Sequence, residues 1–350
     1  MSTSRFIEQI HAATGPLRIR GGGSKDFYGN GLRGEVLDTR SHAGIVSYEP
    51  TELVITARCG TPLAEIEAAL AEQGQMLAFE PPRFASSASG EATIGGAVAS
   101  GLSGPRRAAA GAVRDYVLGV HILDGAGHLL HFGGQVMKNV AGYDVSRLMA
   151  GSLGTLALIL DVSLKVLPRP AAEATLRFEM AQADAIAALN LWGGRPLPLS
   201  ASAWYNGVLT LRLSGARAAV AEAAQKLGGA RMDEDEAADF WQGLRDHRAA
   251  FFAGGDAPLW RIAVPGTTPP LELPGITLIE WGGGQRWLRS AAPAADIRAV
   301  AAQAGGHAAL FRGGDRAAGV FQPMAPALAA LNERVRRSLD PEGVFDTGRR

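Results

Sequence analysis

One cysteine, Cys59, is all that the sequence contains. An internal disulfide framework is therefore excluded, as is any four-cysteine zinc or iron–sulfur site. Cys59 ends a strand-like run over residues 53–59, so its simplest reading is a small buried hydrophobe. An excess of charge of either sign is also missing: 34 Lys and Arg balance 34 Asp and Glu, and the pI is near 7.1. Such a chain has no overall electrostatic reason to bind nucleic acid or an anionic membrane, and no long basic run supplies a local one. No stretch of about 18 uncharged apolar residues occurs, so no direct membrane span is expected. The first residues carry Arg5 and Glu8 among their apolar neighbours and do not read as a signal peptide, which points to the cytoplasm. No P-loop is present, and no metal site is expected.

What the sequence has in excess is glycine, 45 residues in 350, nearly twice the average share of about 7%. At this frequency roughly 0.7 triple-glycine runs arise by chance. The chain has two, at 21–23 and 282–284, so context must decide what they mean. The length favours two domains. In the first half, strands are predicted at 17–20, 36–38, 44–48 and 53–59. A helix with Leu63, Ile66 and Leu70 on its apolar stripe follows, with Thr61 as N-cap, Pro62 at its first position and Gly74 just past its end. Residues 81–111 read as a long loop rich in small residues. The strands 117–123 and 129–132, around Asp124-Gly125-Ala126-Gly127, read as a hairpin, followed by a short helix at 144–149 and a strand at 156–167. Pro168 and Pro170 mark the expected boundary, giving an N-terminal domain at 1–168 and a second at 169–350. The second half mixes predicted strands (174–180, 201–205, 208–213, 259–264, 276–281) with helices (183–191, 216–227, 235–247, 294–304, 325–339). That rhythm suggests an α+β domain on an antiparallel sheet.

Three glycine-bearing segments invite a phosphate-binding reading. Gly29-Asn30-Gly31-Leu32-Arg33-Gly34 fits the dinucleotide fingerprint in spacing, but the following Glu35–Arg40 is too short for the helix that fingerprint requires. Arg20-Gly21-Gly22-Gly23-Ser24-Lys25 follows a strand instead, and consecutive glycines let backbone N–H groups cradle phosphate oxygens; a plain tight turn is the alternative. The stretch from Thr93 to Arg107 mixes Gly95, Gly96, Gly101 and Gly104 with Ser100 and Ser103, then ends in Arg106 and Arg107. Small side chains there permit close approach to a flat or charged ligand, or equally a close-packed crossing.

In this order, the segments 17–25, 93–107, Gly111-Ala112-Val113-Arg114-Asp115-Tyr116-Val117-Leu118-Gly119 and Gly151-Ser152-Leu153-Gly154-Thr155-Leu156-Ala157-Leu158-Ile159 resemble the FAD-binding domain shared by vanillyl alcohol oxidase and p-cresol methylhydroxylase. The resemblance implies a two-lobed α+β FAD-binding domain followed by an α+β cap domain on an antiparallel sheet. It implies that Arg20, Gly21, Gly22, Gly23, Ser24 and Lys25, with Thr93, Gly95, Gly96, Ser100, Gly101, Ser103, Gly104 and Arg106, cradle the pyrophosphate. Arg114, Asp115, Gly151, Gly154, Thr155 and Leu156 would lie along the adenosine end and the domain core. A closer resemblance, over almost the whole chain, is to the E subunits of glycolate oxidase. Residues 48–58, 74–77, 137–144, Trp260-Arg261-Ile262, Trp281-Gly282-Gly283, Arg286-Trp287-Leu288 and the closing 339–349 carry it. That resemblance implies a complex oxidising glycolate, or a similar small 2-hydroxy acid, to glyoxylate, peripheral to the inner membrane. Its partners would be a flavoprotein D-type subunit and an iron–sulfur F-type subunit. The segment 339–350 is expected to return to the FAD domain, and Lys138, Asn139 and Tyr143, shared with hydroxy-acid dehydrogenases, are expected around the flavin.

Two departures matter. Where many covalent flavoproteins of this kind carry a histidine after the glycine loop, Ser24 stands here, so noncovalent FAD is expected. The late H-x-G-D-G-N-x-H-like segment of D-2-hydroxy-acid dehydrogenases is replaced by residues 307–315, which lack it. His307 as base and Arg312 as carboxylate anchor are the candidates that segment offers. A self-sufficient FAD-dependent oxidase of another alcohol or acid, and a scaffold retaining the fold without catalysis, stand as the alternatives.

Overall fold

The computed structural model describes residues 2–84, 90–134 and 144–350. Its contacts divide the chain into two compact units: Met1–Ser103, Gly111–Pro168 and Pro323–Arg350 in the first, Gly104–Ala110 and Arg169–Gln322 in the second.

In the first unit, β1 (Leu17–Arg20) and β2 (Glu35–Asp38) form a parallel pair, Leu17 opposite Glu35. The strands β3 (Ile45–Glu49) and β4 (Val54–Arg58) follow, then the short β5 (Gln75–Met76). β6 (Val117–Leu123), β7 (Leu129–Gly133), β8 (Leu158–Lys165) and the short β9 (Leu167–Pro168) complete the set. An antiparallel sheet of order β3-β4-β8-β6-β7 is the frame, and β5 pairs with β9. The central strands β4, β6 and β8 are the near-continuous apolar runs, because both their faces are covered; β3 and β7 at the edges are more exposed. The predicted hairpin is the pair β6–β7, its turn closed by the Asp124 carboxylate accepting from Ala126 N at 3.0 Å and His128 N at 2.8 Å. Phe6 and Ile10 of the helix Ser2–His11 pack with Leu17, Leu37, Leu123, Leu158, Leu160 and Phe345 in one core.

Two local readings change. The helix Leu63–Glu72 buries Leu63, Ile66 and Leu70 as expected, but its N-cap is Pro62 and no side chain caps it. The Thr61 hydroxyl instead donates to Arg58 O at 2.7 Å and accepts from Gly44 N at 2.9 Å, tying two turns together. Within the stretch expected as loop, Ile94–Ser100 is a helix, capped by Thr93 Oγ1 accepting from Gly96 N at 3.4 Å and ended by Gly101 at φ 67°. Only a residue without Cβ fits at Gly95, where one would lie 2.5 Å from Cys59 Cβ.

The second unit holds β10 (Ala172–Glu179), β11 (Leu199–Tyr205), β12 (Val208–Gly215), β13 (Ala230–Arg231), β14 (Leu259–Ala263), β15 (Ile276–Glu280), β16 (Gln285–Arg289) and β17 (His307–Arg312). They form one antiparallel sheet of order β13-β10-β12-β11-β15-β16-β14-β17. Helices Gln182–Gly193 and Arg217–Leu227 cover Leu176, Leu209, Leu211 and Leu213. The helix Ala294–Gln303 covers Trp260, Ile262, Leu288 and Leu310 with Ile297 and Ala301. This is the α+β arrangement expected, with β13, β16 and β17 as additions.

Candidate functional site

A solvent-open cavity lies in the first unit where β1 runs into the glycine loop. Its wall holds Ile19, Arg20, Gly21, Gly22, Gly23, Ser24, Lys25 and Asp26 from the loop side, and Thr93, Gly95, Gly96, Ala99 and Ser100 from the short helix. Leu153, Gly154, Ala157 and Ile159 face them, with Thr39, Cys59 and Arg349.

The glycines are required by crowding around the loop. A Cβ on Gly22 would overlap the carbonyl oxygen of Glu91, one on Gly21 would overlap Thr93 Oγ1, and Gly23 sits at φ 77°. Beyond the glycines, Ser24 and Lys25 are buried, the ammonium donating to Ser24 Oγ at 3.3 Å and lying 5.5 Å from the Phe84 ring centroid. A lysine held inside a wall of small residues puts a positive charge where a phosphate would sit. Arg20, also in the wall, donates from Nε to Asp26 Oδ2 at 2.7 Å. Polar loop atoms on one side and Leu153, Ala157 and Ile159 on the other, with Ile19 beside them, fit a ligand that carries both phosphates and a flat apolar ring system.

Arg349 reaches this loop from the far end of the chain. It donates from Nε to Tyr28 O at 3.0 Å and from a terminal nitrogen to Lys25 O at 2.6 Å. Asn30 N and Arg33 N in turn donate to Arg349 O and Thr347 O, and Leu17 N to Val344 O at 2.7 Å. Arg349, Thr39 and Cys59 were not among the sequence candidates; the terminal segment's likeness to its family was the one signal for Arg349. Cys59 is buried, and burial pushes its thiol up to about 12.

Other candidates stand outside the cavity wall and have structural partners. Gly101 crosses Gly151 so closely that a Cβ on it would lie 2.8 Å from Gly151 Cα. Gly151 N donates to Val98 O and Leu153 N to Ala99 O, which fastens the 151–156 turn onto the short helix. Ser103 Oγ accepts from Val113 N at 3.0 Å, Asp115 Oδ2 from Ala112 N at 2.9 Å, and Thr155 Oγ1 donates to Ser152 O at 2.7 Å. Arg114 is exposed, and Leu156 is buried core. Gly104 and Arg106 belong to the second unit, where Arg106 pairs with Glu173 at 2.6 Å. Lys138, Asn139 and Tyr143 lie outside the described residues.

The pairing of His307 with Arg312 does not hold. They occupy opposite ends of the six-residue strand β17, roughly 16 Å apart along an extended chain, too far to act on one small acid. Among the described residues no group of three or more His, Cys, Asp or Glu is placed to hold a metal, and no helix is long and apolar enough to cross a membrane.

Comparison with known proteins follows the same line. Residues 3–133 match the family described as FAD binding domain. Over 347 residues the chain is 48% identical to glycolate oxidase subunit GlcE of Escherichia coli (strain K12), covering 98% of this chain and 96% of that one. It is 39% identical over 84 residues to glycolate oxidase subunit GlcD of Bacillus subtilis (strain 168), 24% of this chain and 18% of that one. The solved structure of alkyldihydroxyacetonephosphate synthase superposes with a TM-score of 0.67 at 13% identity, covering 100% of this chain and 75% of that one, a likeness of fold alone.

Proposed function

The chain belongs to the GlcE family of glycolate oxidase subunits, and from that premise we propose that it is the FAD-binding subunit of a complex oxidising glycolate, or a similar small 2-hydroxy acid, to glyoxylate. The observation that carries the reading is the cavity beside Gly21–Lys25, whose glycines have no room for side chains and whose inner wall holds a buried lysine. FAD, when bound, supplies the acceptor for the electrons of an alcohol oxidation. Gly21, Gly22, Gly23, Ser24 and Lys25 would hold its pyrophosphate. Ile19, Leu153, Ala157 and Ile159 would exclude water from its rings. Substrate handling is assigned to the second unit.

The attachment is noncovalent in this reading. Ser24 offers no imidazole, and Cys59, the single thiol, has its thiolate form suppressed by burial. Electrons then leave through partner chains, a D-type flavoprotein and an iron–sulfur F-type subunit, because one cysteine cannot ligate a cluster.

The test is the absorption spectrum of the purified chain with and without added FAD, then with glycolate under anaerobic conditions. A flavin spectrum is expected, released intact into the supernatant on acid precipitation. A flavin that bleaches with glycolate puts oxidation on this chain, and one that stays oxidised until partner chains are added makes the chain a dependent subunit. A colourless chain that takes up no FAD would refute the proposal.

A further inference from the structure

The second unit holds a cluster of charged and aromatic side chains that the flavin cavity leaves unused. Along β14, Trp260 and Ile262 face the helix Ala294–Gln303, so strand alternation puts Arg261 and Ala263 on the opposite face. The register sets Arg261 against Ala309 and Ala263 against His307. His307 therefore stands diagonal to Arg261 on that face, a spacing that long side chains bridge.

Arg261 is held in one orientation. Its Nε donates to Gln285 Oε1 at 2.7 Å, and its guanidinium lies 5.2 Å from the Trp281 ring centroid. Gln285 is fixed in turn, donating from Nε2 to Glu280 Oε2 at 3.0 Å, and that oxygen also accepts from Trp287 Nε1 at 2.6 Å. Gln285, Glu280 and Trp287 are all buried, so this support is rigid. Trp281 is itself anchored by Nε1 donating to Gly104 O at 3.1 Å, and Arg107 lies 4.4 Å from the same ring. With Nε engaged by a neutral amide, the two terminal nitrogens of Arg261 form the edge that pairs with a carboxylate through two parallel N–H bonds. Among the described residues no carboxylate makes an ion pair with Arg261; Glu280 is one side chain further back. Partial burial of a ring that still reaches solvent and the neighbouring Arg261 both push the His307 imidazole below its ordinary value, leaving a neutral ring that accepts a hydrogen bond at pH 7.

We propose that Arg261 and His307 form the binding site of a 2-hydroxy carboxylate. The Arg261 fork takes the carboxylate, and the His307 ring accepts a hydrogen bond from the 2-hydroxyl. Arg261 thereby fills the anchoring role that Arg312, at the far end of β17, cannot fill beside His307. The inference rests on the reading of the chain as a glycolate oxidase subunit and names the residues that meet its substrate.

The experiment is calorimetric titration of the full chain, with and without added FAD, with glycolate and separately with acetate, which has the carboxylate but no hydroxyl. The wild-type chain is expected to bind glycolate more tightly than acetate. Arg261→Met should weaken both by roughly 10- to 100-fold, and Arg261→Lys, which keeps the charge but not the fork, by about 10-fold. His307→Ala, at an exposed position, should bring glycolate down to the level of acetate and leave acetate unchanged. Far-ultraviolet circular dichroism and the flavin absorbance of each variant check that the fold and the cofactor are retained. Wild-type affinity for both acids in Arg261→Met, or no binding of either acid by the wild-type chain, overturns the site. A chain that binds these acids as expected but takes up no FAD would sink the flavin reading alone.

Discussion

At the scale of single residues, the glycines show what composition hides. Gly22 and Gly31 both lie in glycine-bearing segments, and the second belongs to the better-known fingerprint. Yet a Cβ on Gly31 meets nothing within 4 Å, whereas one on Gly22 would overlap the Glu91 carbonyl oxygen. Gly22→Ala is therefore expected to displace the loop and weaken FAD binding by at least roughly 100-fold, about 2.7 kcal/mol, while Gly31→Ala leaves it unchanged. Flavin content after gel filtration measures both, and equal content in the two variants would remove the loop from the phosphate site. A second residue was invisible to spacing altogether. His247 is stacked on Phe252 with ring centroids 3.7 Å apart and planes at 3°, and lies edge-on to Trp287 at 4.8 Å. Burial, helped by Arg312, Arg261 and Arg289, holds its imidazole well below the ordinary value. The folded state thus keeps it neutral while the unfolded chain protonates it near pH 6.5, so stability is full above that pH and falls as the pH drops below it. The slope from this group is at most about 1.4 kcal/mol per pH unit. Urea midpoints compared between pH 7.5 and 5.5 should show the loss, and His247→Phe should flatten it.

Elements were legible where hydrophobic periodicity and tertiary context agree. The apolar strands β4, β6 and β8 and the Asp124 turn follow from sequence because local pattern, turn chemistry and burial all point one way. The helix Ile94–Ser100 does not: its Gly95-Gly96 pair has poor intrinsic propensity, and the helix exists because Gly95 fits against Cys59. Strand β16 is hidden for a different reason. Its sequence Gln285-Arg286-Trp287-Leu288-Arg289 reads as polar, but Arg286 is buried and donates from Nε and one terminal nitrogen to the carbonyls of Gly283 and Thr268, each at 2.7 Å. The closing segment supplies the element-scale prediction. Arg349 is buried and donates to the carbonyls of Tyr28 and Lys25, so it fixes the backbone just past the glycine loop. Arg349→Met keeps the aliphatic stem but removes both bonds, and is expected to cost about 2 kcal/mol of stability. FAD affinity should fall with it, because the Lys25 backbone loses its anchor. Unchanged urea midpoint and flavin content would show that the segment merely lies alongside the loop.

For the whole molecule, the two-part organisation was legible from length, the proline punctuation and the change of rhythm near residue 168. The return of the closing segment 339–350 to the first domain was expected from the family resemblance, whereas the grouping of residues 104–110 with the second unit was not legible. Residues 104–110 group with the second unit through contacts that no local pattern encodes, the Arg106–Glu173 ion pair and the Trp281 bond to Gly104 O. Residues 323–350 group with the first, through Phe345 in its core and the bonds from Leu17, Asn30 and Arg33. This division has a measurable consequence, because a ligand stabilises only the structure that binds it. At a free concentration 100 times its dissociation constant, FAD adds about 2.7 kcal/mol to the opening free energy of the unit that holds it. Hydrogen exchange with and without FAD should therefore slow at residues 17–39, 93–101, 151–159 and 344–350, which are far apart in sequence but share one unit. Strands β10, β12 and β13 should keep their rates, since their amides are governed by the second unit's own core. Slowing at 17–39 without slowing at 344–350 would leave the cavity assigned and the terminal clasp refuted, while slowing confined to the second sheet would move the flavin out of the glycine-loop cavity.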